Sequence, residues 1–334
     1  MDNEDFRNAV ELVHRSNLIL ITTHIKPDGD ACGCLAALSE SLGAIGKETL
    51  PLLLTEAPRW YDFVLGAGVV VLGRDVTVEQ LLERQFDLVV ILDTSSYSQL
   101  GPFEPYLKQC DKPVLVVDHH VTSDEFGDVR LVDSSAAATG LIVLDLVEYA
   151  GWSITTRIAE ALFVAVASDT GWFQFANTDA RTYAVCAKLV EAGARPTAIY
   201  DSLYNNFSQG RFNLMLAMLS TLELHFDGRF ATQHISQRHF KQTGTSYSDT
   251  ENLINECHRI ETVEASALFV ETEDGRIRCS LRSRGGIDVS EIAARYGGGG
   301  HRSAAGAYLS APLEDAKQII VREMAGRFGG AGHR

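Results

Sequence analysis

The sequence predicts an α/β protein in two parts, a larger N-terminal domain on a parallel sheet and a smaller C-terminal α/β domain. Three observations lead there. The chain is 334 residues long, more than one hydrophobic core usually organises. Through residue 170, short β-rich apolar runs alternate with helical periodicity, the pattern of a parallel sheet covered on both faces. From about residue 222 the pattern restarts around two Asp-Gly pairs, a signature of tight hairpins.

Taken in order, "LILITT", "FDLVVILD" and "KPVLVVD" read as central strands, because they are apolar without alternation. "CLAALSESLGAIG" reads as a helix stopped by glycine, and "RTYAVCAKLVEAGA" as another. A mostly helical stretch, "RPTAIYDSLYNNFSQGRFNLMLAMLSTLELHF", then serves as a connector. Beyond it, "LELHFDGRFATQHIS" reads as a hairpin, "DTENLINECHRI" as a helix, and "EASALFVETEDGRIRCSLRS" as two strands joined by Asp-Gly. The expected boundaries are 1–190 for the first domain, 191–221 for the helical connector and 222–334 for the second domain.

Composition narrows the function. No apolar run approaches the roughly 20 residues that span a bilayer, and "MDNEDFRNAV" is acidic where a signal peptide is basic. The expectation is a soluble cytoplasmic protein without a membrane partner. The six cysteines are dispersed, which is not a disulfide framework, and Cys32 and Cys34 read as packing residues. A formal net charge of −15 argues against a protein that wraps long DNA or RNA. It leaves room for a small nucleotide and for hard divalent cations.

Ligands of parallel α/β sheets bind where the carboxyl ends of the strands converge. After "LILITT" come His24, Asp28 and Asp30; after "DLVVIL" comes Asp93; after "VLVV" come Asp118, His119 and His120; after "ALFVAVAS" comes Asp169. Any one aspartate is an ordinary cap or turn residue, but four apolar segments delivering such groups to one edge is not ordinary. This many donors suits two cations about 3.5–4 Å apart sharing a carboxylate, an arrangement that clamps a phosphoryl group. Carboxylate and imidazole without thiolate point to Mn²⁺, with Mg²⁺ or Co²⁺ as competitors.

The ordered segments "HIKPDGD", "ILDTS", "VVDHH" and "ASDTGWFQFANTDART" resemble the four motifs of the DHH phosphoesterases. "CSLRSRGGIDVSEIAARYGGGGHRSAAG" is similar to the DHHA1 substrate domain of that family. The resemblance implies a catalytic site in a cleft between the two domains. It implies that His24 and Asp28 hold one metal, that Asp30, His119 and Asp169 hold the other, and that Asp93 bridges them. Asp118 would orient an imidazole, and His120 would face the scissile phosphate. One departure is Gln174, where many relatives carry a basic residue.

The glycine run in "YGGGGHRSAAG" lacks the Lys-Ser/Thr of a phosphate-binding P-loop. Gly298, Gly299 and Gly300 could let backbone amides approach an anion, with His301 following; a flexible linker is the plainer alternative. Arg278, Arg282 and Arg284 alternate, so a strand would place all three on one face, either as solvated surface or as phosphate readers. The resemblance puts Arg282 and His301 in the substrate cleft. "DSSAAATG" resembles the family loop whose small hydroxylated residues lie near substrate, with Ser135 the candidate; a helix start capped by Ser135 is the alternative.

A DHH/DHHA1 chain without further domains resembles the bacterial nanoRNase and pAp-phosphatase group. The implied activity is metal-dependent hydrolysis of short single-stranded RNA oligonucleotides to mononucleotides and of pAp to AMP. Hydroxide generated between two metals would be the attacking group, with His120, His301 and Arg282 neutralising phosphoryl charge. A soluble phosphodiesterase for cyclic di-AMP or pApA is the near alternative, and a catalytically silent nucleotide-binding regulator the distant one. By analogy with relatives the chain could form a homodimer.

Overall fold

The computed structural model describes residues 3–284 and 286–328, with the side chain of His301 outside the described part. The chain divides into two compact units, Met1–Asn206 and Phe207–Arg334. The division falls inside 191–221: the helix Pro196–Tyr204 belongs to the first unit and the helix Gln209–Leu219 to the second.

In the first unit the described strands are β1 (Leu18–Thr22), β2 (Glu48–Leu53), β3 (Val70–Val71), β4 (Leu88–Leu92), β5 (Val114–Asp118) and β6 (Val129–Val132). They form one sheet of order β3-β2-β1-β4-β5-β6, parallel at every pairing. Alternate residues feed two cores. Ile19, Ile21, Val90, Leu92, Leu115 and Val117 pack on the side of the helices Gly29–Ala44, Thr139–Tyr149 and Thr156–Asp169. Leu20, Val89, Ile91 and Val116 pack on the other side with Leu81, Phe103 and Leu107. Burial on both faces is why β4 and β5 read as unbroken apolar runs. The chain leaves β1 toward β2 and enters β4 on the opposite flank, so the carboxyl ends of β1 and β4 border the point where strand order reverses, the usual ligand crevice of such sheets.

Residues 161–168 lie in the helix Thr156–Asp169, so Asp169 is delivered by a helix end. Ile158, Leu162, Phe163 and Val166 are buried together with the alanines between them, and a helix buried all round shows no amphipathic period to separate it from a strand. It sits against the helix Gly29–Ala44 across Gly33, where an added Cβ would fall 2.4 Å from the Ala161 carbonyl oxygen and 2.9 Å from Ala165. That close approach brings the two helix ends, and with them Asp30 and Asp169, to one place.

In the second unit the described strands are β7 (Glu223–His225), β8 (Phe230–Ile235), β9 (Ala265–Glu271), β10 (Ile277–Ser283), β11 (Gly299–His301) and β12 (Ala304–Leu309). Their order is β11-β12-β10-β9-β8-β7, antiparallel except for the pair β8–β9. The predicted β7–β8 hairpin is present, with Asp227 and Gly228 at φ 56° and 81° as its left-handed turn requires. Where a helix was expected over "DTENLINECHRI", the chain instead makes two 3₁₀ segments, Tyr247–Thr250 and Leu253–Arg259. Asn252 stands at φ 60° between them, which interrupts helical geometry.

The glycine run is neither a linker nor an open loop, because Gly299–His301 pairs antiparallel with Ala304–Gly306. A Cβ on Gly298 would fall 2.2 Å from the Gly306 carbonyl oxygen, and one on Gly300 2.4 Å from that of Ala304, whereas one on Gly299 would meet open space. Close backbone approach within the sheet thus accounts for Gly298 and Gly300.

Candidate metal centre

Every aspartate and histidine of the predicted cluster sits at the β1–β4–β5 edge of the first unit. His24 lies in the loop after β1, and Asp28 caps the next helix, its Oδ1 accepting from the amides of Asp30 and Ala31 at 3.0 and 3.1 Å. Asp93 follows β4 with φ 60°, a conformation that aspartate tolerates better than most residues and that turns the chain at the strand end. Asp118 is the last residue of β5, and His119 and His120 follow it.

Three groupings of ligand atoms result: His24, Asp28 and Asp93; Asp30, His119 and Asp169; Asp93, His119 and His120. Nε2 of His24 is 3.4 Å from Asp93 Oδ2 and 4.0 Å from Asp28 Oδ1. Nε2 of His119 is 3.0 Å from Asp169 Oδ2, 3.7 Å from Asp93 Oδ1 and 3.9 Å from Asp30 Oδ2. Asp93 therefore touches both halves of the cluster, one oxygen toward each.

The rings of His24 and His119 are held in an orientation suited to a ligand. Nδ1 of His24 donates to the Ile25 carbonyl at 2.8 Å and Nδ1 of His119 to that of Ala136 at 3.1 Å. A carbonyl can only accept, so in the neutral ring the proton sits on Nδ1 and the lone pair of Nε2 faces the carboxylates, as metal-bound histidines generally require. His120 is turned differently. Its Nδ1 and its backbone amide both donate to Asp118 Oδ1, at 2.7 and 3.1 Å, so the imidazole that Asp118 orients is that of His120.

Charge also argues for cations. Burial works against the charged form of His24, yet its hydrogen bond with Asp93 and the charges of Asp28 and Asp93 lift it to about 10. His119 likewise overcomes burial, through Asp169 first and then the charge of Asp30, and also reaches about 10. Asp30 is pushed well above the ordinary carboxyl range by burial and then by Asp93 and Asp169. So much buried negative charge must be offset by protons or by positive charge, and hard divalent cations match a set of carboxylates and imidazoles with no thiolate.

Several further groups support the cluster. The helix Thr139–Tyr149 aims its first amides at Asp30: Thr139 N donates to Oδ2 at 2.6 Å and Gly140 N to Oδ1 at 2.9 Å. The Thr139 hydroxyl donates to Asp93 Oδ1 at 2.8 Å. Ser95 Oγ donates to Asp118, and Cys34 Sγ to Asp30 Oδ1 at 3.2 Å. Asn177 Nδ2 donates to the carbonyls of Ala137 and Asp169, at 3.0 and 3.1 Å. "ATG" and "ANT" carry no local signal of these roles, because the partners are brought in by the fold.

Ser135 does not cap a helix. The helix begins at Thr139 with Ala138 as its N-cap, while exposed Ser135 donates its hydroxyl and amide to Asp133 Oδ1. In the second unit, Arg278 and Arg282 share one face of β10, opposite buried Ile277, Cys279 and Leu281. Arg284 lies past the end of that strand, exposed, and donates to the carbonyls of Glu261 and His258, so the alternating row is two arginines long. The His301 side chain lies outside the described residues.

Residues 18–166 match the DHH family, N-terminal domain, and residues 227–332 the DHHA1 domain. The chain is 32% identical over 295 residues to the "Bifunctional oligoribonuclease and PAP phosphatase NrnA" of Thermus thermophilus, covering 87% of this chain and 84% of that one. Its fold is similar to an exopolyphosphatase-related protein from Bacteroides fragilis, with a TM-score of 0.91, 21% identity and 98% of each chain covered. Exonuclease RecJ, solved bound to manganese, is similar at a TM-score of 0.56 and 16% identity, covering 98% of this chain and 96% of that one. With both domain matches and the full-length likeness joined to the carboxylate–imidazole cluster, the chain belongs to the DHH/DHHA1 phosphoesterase family, in its oligoribonuclease and PAP phosphatase branch.

Proposed function

We propose that the chain is a metal-dependent hydrolase that shortens RNA oligonucleotides of a few residues to mononucleotides and removes the 3′-phosphate of pAp. The observation that carries this reading is the two-lobed cluster shared through Asp93 in a chain whose relative is named for these two activities. His24 and Asp28 would hold one cation, and Asp30, His119 and Asp169 the other, with Asp93 between them. Mn²⁺ is the ion favoured by the donor set, and Mg²⁺ and Co²⁺ fit the same donors. Two such cations, when bound, neutralise phosphoryl charge and make water acidic enough to supply hydroxide near neutral pH.

The chain's own groups do the rest. Asp118 holds the His120 ring by Nδ1, and the carboxylates of Asp118 and Asp93 raise its pKa against burial, so that the ring would face a phosphoryl oxygen as a protonated donor. Thr139 and the first amides of its helix keep Asp93 and Asp30 in place, so that the site is organised before substrate arrives. Arg282 and His301 would read a further phosphate, with Arg284, Ser135 and the amide of Gly299 as additional contacts. A short substrate needs only such local positive charge, which agrees with a net charge of −15.

The test is turnover by purified, Mn²⁺-loaded protein of pAp, a 5′-labelled RNA trimer and cyclic di-AMP, each with an EDTA control. Cleavage of pAp and trimer that EDTA abolishes is the expected result. Preference for cyclic di-AMP, which the relative's name does not favour, or silence on all three substrates, overturns the reading.

A further inference from the structure

The segment after Asp169 has an unusual backbone to which the proposed hydrolysis assigns no role. Gly171, Trp172 and Phe173 have φ of 55°, 55° and 66°, and two of these are bulky residues that avoid the left-handed region. Such a conformation persists only where the surroundings over-determine it. They do so here. Trp172 stacks on Tyr200 with centroids 5.2 Å apart, and Phe173 on Tyr183 at 5.6 Å, while both meet the edge of Phe163. The Trp172 amide donates to the Ala167 carbonyl at 2.7 Å, and Asn177 closes the far side of the loop on the carbonyl of Asp169.

The product of this turn is the placement of Phe175. Its amide donates to the Thr170 carbonyl at 3.0 Å, so the chain doubles back and the outer carbons of the ring rest on Gly171. A Cβ at Gly171 would fall 2.5 Å from that ring, which leaves glycine as the residue that lets it lie there. Yet Phe175 is 58% exposed. A phenyl held by a braced loop, its backbone bonded to the residue next to Asp169, keeps a large apolar surface in water that a flat ligand would cover.

We propose that Phe175 is a stacking platform for a nucleobase of the substrate, beside the phosphate gathered at the Asp93 cluster; this rests on the phosphoesterase function proposed above. The ligands it takes are nucleoside phosphates and short single-stranded oligonucleotides of any sequence, because every base has a π-face. The braced loop presents the ring preorganised, so little conformational freedom is lost on binding. A sugar phosphate that carries no base gains nothing from it.

The experiment compares kcat/KM for pAp with that for ribose 3,5-bisphosphate, its base-free counterpart, in the Mn²⁺-loaded wild type and in Phe175→Ala, Phe175→Leu and Phe175→Trp. In the wild type pAp is preferred. In Phe175→Ala the preference falls roughly tenfold to a hundredfold, mainly through KM for pAp. Phe175→Trp restores it. Phe175→Leu does not, although leucine keeps the apolar bulk that a merely structural role would need. A wild-type preference surviving in Phe175→Ala or Phe175→Leu overturns the platform while leaving the phosphoesterase function intact. A wild type that cleaves neither compound overturns that function, and the platform with it.

Discussion

Asp93 illustrates how much one residue is asked to do. It is 2% exposed, adopts a left-handed φ at a strand end, sits within reach of His24 and His119, and accepts from Thr139. Burial raises a carboxyl, but the hydrogen bond with His24 and the three neighbouring imidazoles hold Asp93 below its ordinary value, which keeps it a carboxylate. Asp93→Asn retains the shape and one acceptor while deleting the charge shared by both halves of the cluster. Its expected outcome is loss of turnover on pAp and on an RNA trimer with unchanged circular dichroism; near-wild-type activity removes Asp93 from the shared role.

Thr139 acts through Asp93 and Asp30, so its effect should appear first in the metal. Thr139→Val deletes the hydroxyl at nearly constant volume and leaves a buried carboxylate oxygen short of a donor. Titration of Mn²⁺ into the stripped protein by calorimetry should show affinity weakened about 10–100-fold, the usual range for losing a group that orients a ligand. Thr139→Ser should retain it. Equal affinities in the two variants would make Thr139 a packing residue only.

At the scale of elements, the site depends on two helices lying unusually close. Gly29–Ala44 carries Asp30 near its start, Thr156–Asp169 carries Asp169 at its end, and Gly33 lets them meet. Gly33→Val places atoms against the Ala161 carbonyl and forces the helices apart. Overpacking of this kind costs roughly 1–3 kcal/mol, and urea denaturation should show that loss together with weaker Mn²⁺ binding. Undiminished metal affinity would show that Asp30 and Asp169 do not rely on the helix contact for their spacing.

At the scale of the whole molecule, burying this many carboxylates makes stability depend on what neutralises them. His24 and His119 are raised from 6.5 to about 10, so between those values the native chain of metal-stripped protein keeps protons that the unfolded chain releases. The resulting stabilisation is whole below about pH 6.5 and is lost as pH rises toward 10. Scanning calorimetry of stripped protein should therefore show Tm falling across that window. Mn²⁺ needs the same Nε2 atoms free of protons, so at fixed Mn²⁺ the rise in Tm over the stripped protein should grow with pH across it. A stripped protein with flat Tm from about pH 7 to 9.5 would mean that the cluster does not hold these protons.

The parallel sheet and the acids at its edge were legible in the sequence because both are consequences of local pattern. Unbroken apolar runs report strands buried on two faces, and the residues just past their ends fall at the crevice whatever the loops do. The second-unit hairpins were legible for the same reason, since Asp-Gly is a demand of the turn itself. Tertiary structure alone decided that Asp169 arrives on a helix, that the glycine run is an edge strand, that Arg284 leaves the arginine face, and that Thr139 and Asn177 brace the cluster. Each of these rests on groups that the fold brings together, such as Gly33 against Ala161 or Thr139 against Asp93. A residue's own neighbours in sequence carry no record of the surface it will be pressed against.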